Sequence, residues 1–426
     1  MLKLIVCCGI LQIKFLGGAG EVGRSGILVH DMKTMLLDYG IKIDGHTEYP
    51  LPAGRIDACF VSHAHLDHSG YAPVVYQDGF PDAFATAPTM KLAELLIEDS
   101  IKIHKRKHEH ERVHKAQLKT MLNKYMPCEY GKGYEFGEYT VSMHDAGHIC
   151  GSAVTSIEKY KDGKRLVYTG DFKIEKQLLE GGADIVKSDV LLLESTYAGK
   201  NHPDREKMAM QMVEEIKETV DNGGIALLPV FAVGRAQEML ALMNKNGLIE
   251  RTFVDGMAKT ATEIVESFPE FIRNEGLLRG AVEKVRKVRD SRNRLNALEG
   301  GNIILTTSGM LNGGPVLDYI TRLNRHSRIF LTGYQVEDSN GSRLMQGLPL
   351  DIDGRKYRVK TPFKVYDFSA HAGKDELHKY VRESGPSTVI CVHGSQENTS
   401  AFAEELKLEG FNAIAPRQGD VIDIDF

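Results

Sequence analysis

The sequence has few cysteines, and none of them is spaced as a disulfide framework or a cysteine zinc site requires. Six cysteines are distributed over 426 residues without a single C-x-x-C pair. This distribution is typical of buried thiols in a reducing compartment. We therefore expect a cytoplasmic protein without structural disulfides.

The sequence also lacks an apolar run that would cross a membrane. Residues 4–11 are apolar behind Lys3 and resemble the core of a signal peptide, but they are too few to span a bilayer. The run continues through Ile13, Phe15 and Leu16 into a glycine turn, with no clear small-residue cleavage site. We interpret it as the first strand of the fold and expect no membrane partner.

Excess positive charge is absent as well, since 53 basic residues face 58 acidic residues for a net charge of −5. Such a balance gives no general attraction for polyanions, so any contact with nucleic acid depends on local groups. With 42% apolar residues, the chain is suited to two buried cores. No internal repeat or low-complexity linker is visible, and disorder is not expected.

Short apolar runs that end in glycine, aspartate or histidine are characteristic of the first half of the chain. They predict buried strands whose polar ends meet at one rim, and a long helical stretch between them predicts a pair of helices covering a sheet. The predicted strands are 35–37, 56–61, 140–143, 166–169 and 190–193, and the helical stretch is 89–122.

After Tyr197 helices and buried strands alternate, which predicts a parallel α/β domain. The helices are 205–220 and 236–244, and the strands are 225–230 and 252–254. From about Pro362 the earlier pattern returns in the strands 364–368 and 388–392, each followed by a histidine. We expect an α/β domain at 199–362, inserted into a first domain formed by 1–198 and 363–426.

The segment Val61-Ser-His-Ala-His-Leu-Asp-His68 is the most informative part of the sequence. Its three imidazoles and one carboxylate form a nitrogen and oxygen donor set that suits zinc. As a solvated polar loop, the segment would gather unpaired polar groups for no benefit. Four ligands from one loop cannot all reach one tetrahedral ion, so we expect them to be divided between two ions.

Further ligands must come from later strand ends. His148 follows a glycine turn, Asp171 ends the segment Tyr168-Thr-Gly-Asp171 and is placed to bridge two ions, and His393 precedes Gly394. His144 lies within a strand-like run and is expected to be an ordinary surface or hydrogen-bonded histidine.

These motifs resemble those of a known superfamily. The H-x-H-x-D-H loop, His148, Asp171 and Leu36-Leu-Asp38 resemble the ordered motifs of the metallo-β-lactamase superfamily. Leu193-Glu-Ser-Thr-Tyr197, Asp367-Phe-Ser-Ala-His-Ala372 and Val392-His-Gly394 resemble three signatures of its β-CASP nuclease branch. With Gly17-Gly-Ala-Gly-Glu-Val-Gly-Arg-Ser25, nearly the whole chain is similar to the short archaeal and bacterial relatives of the eukaryotic cleavage and polyadenylation endonuclease.

The resemblance implies an αββα metallo-β-lactamase sandwich with an inserted parallel-sheet β-CASP domain. It also implies two Zn²⁺ ions that activate the attacking water, and a role for each motif residue. One zinc is held by His63, His65 and His148, the other by Asp67, His68 and His393; Asp171 bridges them, and Asp38 orients the histidine loop. Asp67, Glu194 and His371 are the catalytic residues, with His371 as the general acid that is paired with Glu194.

Two segments of the inserted domain are candidate phosphate sites, because backbone N–H groups at helix starts and glycine turns bind anions. They are 229–237 and 306–315, and 333–335 belongs to the same rim. Glycine turns at strand ends are also routine. In the family that the chain resembles, these segments line the groove between the domains, which makes Arg235, Ser308, Gly309 and Gly333 candidate RNA contacts.

Two basic stretches, 102–119 and 284–294, are open to RNA binding or to a solvated helix face. The histidines at 104, 108, 110 and 114 lie in a run of lysines without acidic or cysteine partners, which does not favour a second metal site. Two residues depart from the family pattern: Ser395 replaces an expected acid, and Asp338 stands where glycine is frequent.

We therefore predict a zinc-dependent ribonuclease acting on single-stranded RNA. The alternatives are a small-molecule hydrolase of the same superfamily, a nuclease acting on DNA, or a non-catalytic binding subunit. The 176 residues between Glu194 and His371 suit a polymer better than a small ester, and every expected ligand is present. Endonuclease or 5′-to-3′ exonuclease action, RNA sequence preference, and the monomer or homodimer state stay open.

Overall fold

The computed structural model describes residues 10–44, 46–77, 79–108 and 112–426. Cys7, Cys8, the first six residues of the predicted strand 4–11 and His110 lie outside the described residues. By contacts, the chain divides into two compact units. The first unit holds the described residues up to Lys176, with Gly181–Asn201 and Ala370–Phe426, and the second holds Gln177–Glu180 and His202–Ser369. The boundaries predicted from the sequence, at 198/199 and 362/363, differ from these limits: residues 363–369, with the predicted strand 364–368, were expected in the first domain and lie in the second unit.

The first unit begins with thirteen strands and three α-helices among the described residues. In chain order they are β1 (Ile10–Gly17), β2 (Gly26–His30), β3 (Thr34–Leu37), β4 (Lys42–Asp44), β5 (His46–Glu48), β6 (Ala58–Phe60), α1 (Leu66–Ser69), β7 (Asp82–Thr86), α2 (Ala87–Arg106), α3 (Lys115–Lys124), β8 (Tyr125–Cys128), β9 (Gly133–Phe136), β10 (Tyr139–Asp145), β11 (Ala153–Lys159), β12 (Arg165–Tyr168) and β13 (Val190–Glu194).

The second unit and the return of the chain to the first unit supply the remaining elements. The second unit contains α4 (Arg205–Asp221), β14 (Ala226–Pro229), α5 (Arg235–Lys245), β15 (Thr252–Asp255), α6 (Ala258–Glu266), α7 (Glu275–Lys284), β16 (Arg286–Lys287), α8 (Ser291–Ala297), β17 (Ile303–Thr306), α9 (Val316–Ile320), β18 (Arg328–Leu331), α10 (Asn340–Met345), β19 (Leu350–Ile352), β20 (Arg355–Tyr357) and β21 (Phe363–Val365). The first unit closes with α11 (Lys374–Ser384), β22 (Thr388–Val392), α12 (Gln396–Leu408), β23 (Asn412–Ile414) and β24 (Val421–Asp425).

Two seven-stranded sheets form the centre of the first unit. Their strand orders are β24-β1-β2-β3-β6-β7-β8 and β23-β22-β13-β12-β11-β10-β9. One apolar cluster contains Phe15 and Phe60 from the first sheet and Val141 and Leu192 from the second, so the two sheets pack face to face. Each such buried side chain contributes about 1.5–3 kcal/mol by removing apolar surface from water.

Helices cover the outer face of each sheet of this unit. Met90 of α2 and Met121 of α3 pack with Cys59 and Ala83, whose neighbours in sequence face the opposite side. Leu377 of α11 and Phe402 of α12 lie in the apolar cluster on the second sheet. The layers are therefore helix, sheet, sheet, helix, which confirms the predicted αββα sandwich.

The second unit contains one parallel sheet of six strands, in the order β16-β15-β17-β14-β18-β21. Met212 of α4 and Leu240 of α5 pack on one face of this sheet, whereas Tyr319 of α9 and Leu344 of α10 pack with the residues of the other face. Helices on both faces explain why the strands read as continuous apolar runs, and the predicted parallel α/β insertion is confirmed.

The predicted helical stretch 89–122 is divided into α2 and α3. The first of them begins at its capping residue: the Thr86 side chain accepts a hydrogen bond from the Thr89 N–H, and Pro88 stands in the first turn. The predicted strand 56–61 is shorter in the structure, Ala58–Phe60. Among the described residues, no helix has both the length and the apolar composition that spanning a membrane requires.

Candidate functional site

Asp38 fixes the histidine loop that follows β6. Its Oδ1 accepts a hydrogen bond from the Ser62 N–H at 2.7 Å, and its Oδ2 accepts bonds from His68 Nδ1 at 2.7 Å and from the Tyr168 hydroxyl at 2.8 Å. Asp38 and His68 are both fully buried. Because Nδ1 is the donor, His68 must present Nε2 on the opposite side of its ring, and no described residue forms a hydrogen bond with that Nε2.

A first group of candidate ligands gathers three histidines around one carboxylate. His65 Nδ1 lies 3.2 Å from both His63 Nε2 and His148 Nε2, and Asp171 Oδ2 lies 3.6 Å from His63 Nε2. Burial lowers the pKa of all three histidines, which favours the neutral imidazoles that ligate metals. His148 Nδ1 donates to the Ala370 carbonyl at 2.9 Å, and this bond directs Nε2 into the group.

A second group shares the same aspartate. Asp171 Oδ1 lies 3.3 Å from His68 Nε2 and 3.1 Å from His393 Nδ1, and Asp67 Oδ2 lies 3.6 Å from His393 Nε2. Burial opposes charge on His68 and His393, but the neighbouring carboxylates prevail, raising the pKa of His68 well above its usual value and that of His393 to about 10. In a protein without metal, protons therefore hold the place that cations would take among these carboxylates.

The two groups fit two metal ions. Within each group the candidate ligand atoms lie within 4.8 Å of one another, and Asp171 belongs to both. His68 Nε2 and Asp171 Oδ1 are buried, form no hydrogen bond of good geometry among the described residues, and lie 3.3 Å apart. A cation between them would satisfy both atoms, and the nitrogen and oxygen donors suit zinc.

His371 and Glu194 form a pair beside these groups. The Glu194 carboxylate accepts hydrogen bonds from the Phe172 and Thr196 N–H groups, each at 3.2 Å, and His371 Nδ1 lies 3.0 Å from Glu194 Oε1. Burial would lower the pKa of His371, but Glu194 and then Asp171 raise it above its ordinary value. The pair is therefore arranged to keep His371 protonated and oriented.

Lys173 is a buried residue at the site that the sequence reasoning missed. Its ammonium donates to Glu376 Oε2 at 3.1 Å and to the His371 carbonyl at 3.4 Å, and its backbone N–H donates to the Ala146 carbonyl at 2.9 Å. Lys173 thus joins its own loop, which carries Asp171, to the loops that precede His148 and contain His371. A lysine two positions after Asp171 was the available signal, but spacing alone does not reveal its distant partner.

The candidate phosphate residues of the second unit lie at the carboxyl ends of three neighbouring parallel strands. Arg235 follows β14 and begins α5, Ser308 and Gly309 follow β17, and Gly333 follows β18. Arg235 is largely buried, its guanidinium donates to the Phe368 carbonyl, and it lies 5.8 Å from the centre of the Phe368 ring. Three strand ends therefore converge at one sheet edge.

The residues that depart from the family pattern, and the other histidines, have local explanations. Ser395 is the N-cap of α12, where its side chain accepts a hydrogen bond from the Asn398 N–H. Asp338 adopts a left-handed backbone conformation with φ of 63°. His144 lies in β10 and contacts the Ser142 hydroxyl, and His104 contacts Thr47; neither belongs to the candidate metal groups.

Comparison with family models gives three matches. The Beta-Casp domain matches residues 236–344, and the Zn-dependent metallo-hydrolase RNA specificity domain matches residues 356–416. Residues 21–220 match the model of the anti-Pycsar protein Apyc1.

Curated relatives match the chain over almost its whole length. A probable RNase, MJ4, of Methanocaldococcus jannaschii is 35% identical over 97% of this chain and 100% of its own length. RNase aCSPSF2 of Saccharolobus solfataricus is 32% identical over 97% of this chain and 85% of its own length. A crystal structure of a protein of unknown function from Enterococcus faecalis V583 matches with a TM-score of 0.63 and 14% identity over 98% of this chain and 100% of that chain, a likeness of fold alone.

Proposed function

Because the chain belongs to the β-CASP family of metallo-β-lactamase-fold RNA nucleases, we propose that it is a zinc-dependent ribonuclease that hydrolyses phosphodiester bonds of single-stranded RNA. The observation that carries this proposal is the pair of ligand groups that share Asp171, next to the His371 and Glu194 pair. The enzyme would act as an endonuclease, as a 5′-to-3′ exonuclease, or as both, in RNA processing or decay.

In this proposal the ligands are divided as the two groups suggest. His63, His65 and His148 would hold one zinc, Asp67, His68 and His393 would hold the other, and Asp171 would belong to both sets of ligands. When bound, the zinc ions supply Lewis acidity, which lowers the pKa of water towards neutrality and neutralises charge on the attacked phosphate. Asp38 keeps His68 in the tautomer that presents Nε2, as the hydrogen bond to its Nδ1 requires.

His371 is proposed as the general acid. Water loses one proton to the solvent as it attacks phosphorus, the bond from phosphorus to the leaving ribose oxygen breaks, and that oxygen takes a proton from His371 Nε2. The contact of Nδ1 with Glu194 leaves Nε2 as the nitrogen for this transfer, and the raised pKa favours the protonated ring that donates. Lys173 supports the arrangement by donating to the His371 carbonyl.

The second unit is proposed to bind RNA through phosphates, although the net charge is −5. Its contacts would be Arg235, Ser308 and the backbone N–H groups at Gly309 and Gly333, all at one sheet edge. Such contacts do not read the 2′-hydroxyl, so DNA is a second candidate substrate. A cytoplasmic location is part of the proposal, supported by the buried free thiols Cys59, Cys128, Cys150 and Cys391.

One experiment tests both the reaction and its direction. A single-stranded RNA labelled in turn at each end, with a 5′-hydroxyl or a 5′-monophosphate, is incubated with the zinc-loaded protein, beside a DNA of the same sequence. Internal fragments that do not depend on the 5′ group would establish endonuclease action, and stepwise loss from a 5′-monophosphate would establish exonuclease action. An RNA left intact under both conditions, while a small ester or lactam is hydrolysed, would overturn the proposal.

A further inference from the structure

Phe231 occupies the centre of the sheet edge described above for the second unit. It comes two residues after β14, which has β17 on one side and β18 on the other. The chain places β15, β16 and β17 on one side of β14 before it reaches β18 on the other side, so the strand order reverses there. In open parallel sheets, ligands bind beyond the carboxyl ends of the strands at such a reversal.

The Phe231 ring rests on two glycines of the neighbouring strand ends. A Cβ atom on Gly309 would lie 3.3 Å from Phe231 Cδ2, and a Cβ atom on Gly333 would lie 3.1 Å from Phe231 Cε2. Any side chain at Gly333 would therefore press on the ring, and one at Gly309 would also approach the Phe231 backbone N at 3.0 Å. The glycines allow an aromatic ring to lie directly against the main chain.

Hydrogen bonds hold this arrangement in place. Gln335 Nε2 donates to the Gly309 carbonyl at 3.2 Å and to the Gly333 carbonyl at 3.0 Å, so one amide ties both glycine loops together. The Phe231 carbonyl accepts a bond from the Ala236 N–H at 3.2 Å, which fixes its backbone to the start of α5. Phe231 is only partly buried despite these contacts, which leaves part of the residue open to a ligand.

The groups around the ring match the parts of a nucleotide. The ring offers an apolar surface for a base, and the N-terminus of α5, an 11-residue helix that begins four residues later, offers the partial positive charge of the helix dipole for phosphate. Ser308 Oγ, on the neighbouring strand end, has no hydrogen-bond partner among the described residues although its oxygen is buried. A purely apolar partner would leave that hydroxyl without a partner.

We propose that Phe231 is a stacking platform for one base of a single-stranded RNA. This inference rests on the proposed function and adds to it a defined nucleotide position on the second unit. Stacking uses the face that every base possesses, so the subsite tolerates any base and is lost when the base is absent. Tyr334, which follows Gly333 and is 66% exposed, is the rival ring of the same edge.

The test combines an abasic scan with a substitution. Affinity is measured in the cleavage-deficient His371→Ala protein for one RNA and for versions of it with a single abasic site at each position. An abasic site at one of these positions should weaken binding about 5- to 150-fold, which is the usual loss of affinity when one stacked base is removed. Adding Phe231→Leu should weaken binding of the intact RNA by the same factor, and the abasic site should then have no further effect. Adding Phe231→Trp should preserve both the affinity for the intact RNA and the effect of the abasic site. Phe80→Leu, at a ring that is 77% exposed in the first unit, is the matched control.

Other results would overturn the inference. If Phe231→Leu and an abasic site together weaken affinity by the product of their separate factors at every position, the ring and the base act independently. Phe231 is then not the platform. If the coupling appears with Tyr334→Leu instead, the platform is the other ring. RNA that binds and is cleaved without any coupled position would refute this inference but not the proposed function, whereas absence of all RNA binding and cleavage would refute both. If Phe231→Leu does not fold, Phe231→Met carries the same expectations.

Discussion

Both units of the chain carry their candidate functional residues at the ends of strands, but the residue types at these ends differ. Strand ends of the first unit carry histidines and carboxylates, and their side chains gather into groups of ligand atoms within 4.8 Å. The ends of the central strands β14, β17 and β18 in the second unit carry glycines, one buried arginine and an aromatic ring. The first unit is built to hold charge at fixed atoms, and the second is built to present backbone and apolar surface.

This difference teaches where each function can tolerate change. A metal ligand acts through one atom, so its loss is not compensated by neighbours. A surface that contacts a chain of phosphates and bases divides its binding energy over several groups, so the loss of any one is partial. Substitutions in the first unit should therefore change turnover abruptly, and those in the second unit should change affinity gradually.

Asp171→Asn should have the largest effect, because Asp171 belongs to both ligand groups. An amide of the same size removes the negative charge that both ions need, so zinc content should fall from about two ions per chain and turnover should fall to background. Elemental analysis of the purified protein measures the first change and RNA cleavage the second. Asp38→Asn, which touches no proposed ion, should weaken metal affinity by only about 10- to 100-fold. Full zinc content in Asp171→Asn would contradict the shared-ligand assignment.

His371→Ala should have the next largest effect. Loss of the proposed general acid should lower kcat by about 10²–10⁴ while zinc content and RNA affinity are retained. If the variant instead loses one zinc, His371 is a ligand, and its role and that of His393 must be exchanged.

The pH profile of Glu194→Gln gives the matching control. Glu194 raises the pKa of His371, and the acid works only while protonated, so kcat should fall as pH rises through that pKa. Removing the carboxylate charge lowers this pKa, and the alkaline limb of the profile should move to lower pH. An unmoved limb would show that His371 does not limit the reaction in this way.

Lys173→Met should have a smaller effect on the same step. Its ammonium donates to the His371 carbonyl and to Glu376, so its loss should displace the acid without removing it. A displacement of about 1 Å is enough to lower kcat by about 100-fold, with KM and zinc content unchanged. Glu376→Gln should reproduce the loss in part, and Lys161→Met, at an exposed lysine, should not. If the free energy of unfolding falls together with kcat, Lys173 has a purely structural role.

Arg235→Ala tests the gradual behaviour expected of the second unit. Binding of single-stranded RNA should weaken for all sequences alike, and the slope of log affinity against log salt should become flatter by about 0.7 for one lost phosphate contact. Since Arg235 also donates to the Phe368 carbonyl, Arg235→Lys serves as the control that keeps the charge. Affinity that does not depend on salt, or a loss confined to particular sequences, would count against phosphate binding.

The sequence predicted the fold and the local ligand loop because both are encoded at short range. Strands of the first unit were recognisable as apolar runs with polar ends, and His63, His65, Asp67 and His68 lie within six positions. Distant pairs were not predictable from spacing. Lys173 and Glu376 are separated by 203 positions, and only the folded chain joins them. His393 was predicted from its place at a strand end, whereas the remote His371 entered the site only through the family resemblance.

Ser395 shows a second kind of failure. In the sequence it was a missing acid at a motif position, whereas in the structure it is the residue that starts α12. The signal was present, because serine is a preferred helix N-cap and an apolar helical pattern follows it. The family pattern has an acid at this position, and helix capping explains the serine that stands there. Phe231 was overlooked for a related reason, since its two glycines were considered only as anion-binding turns.

Asp145→Asn should have the smallest effect. It compares two carboxylates of the first unit: Asp171, which belongs to the ligand groups, and Asp145, which lies at the end of β10 and belongs to neither group. Burial raises the pKa of Asp145 from 3.8 to about 6, and Asp184 adds to this, although the Gly147 N–H donates to its Oδ1. The folded state thus binds the proton more tightly than the unfolded state, so the contribution of Asp145 is fully present below pH 3.8 and is lost as pH rises through about 6. Burial of the charged carboxylate therefore lowers the free energy of unfolding at pH 7 by at most about 3 kcal/mol.

An asparagine keeps the acceptor without the charge, so Asp145→Asn should raise the free energy of unfolding at pH 7 and have little effect at pH 4. Denaturant unfolding at the two pH values measures this difference, and equal effects at both would show that the carboxylate charge is not the cause.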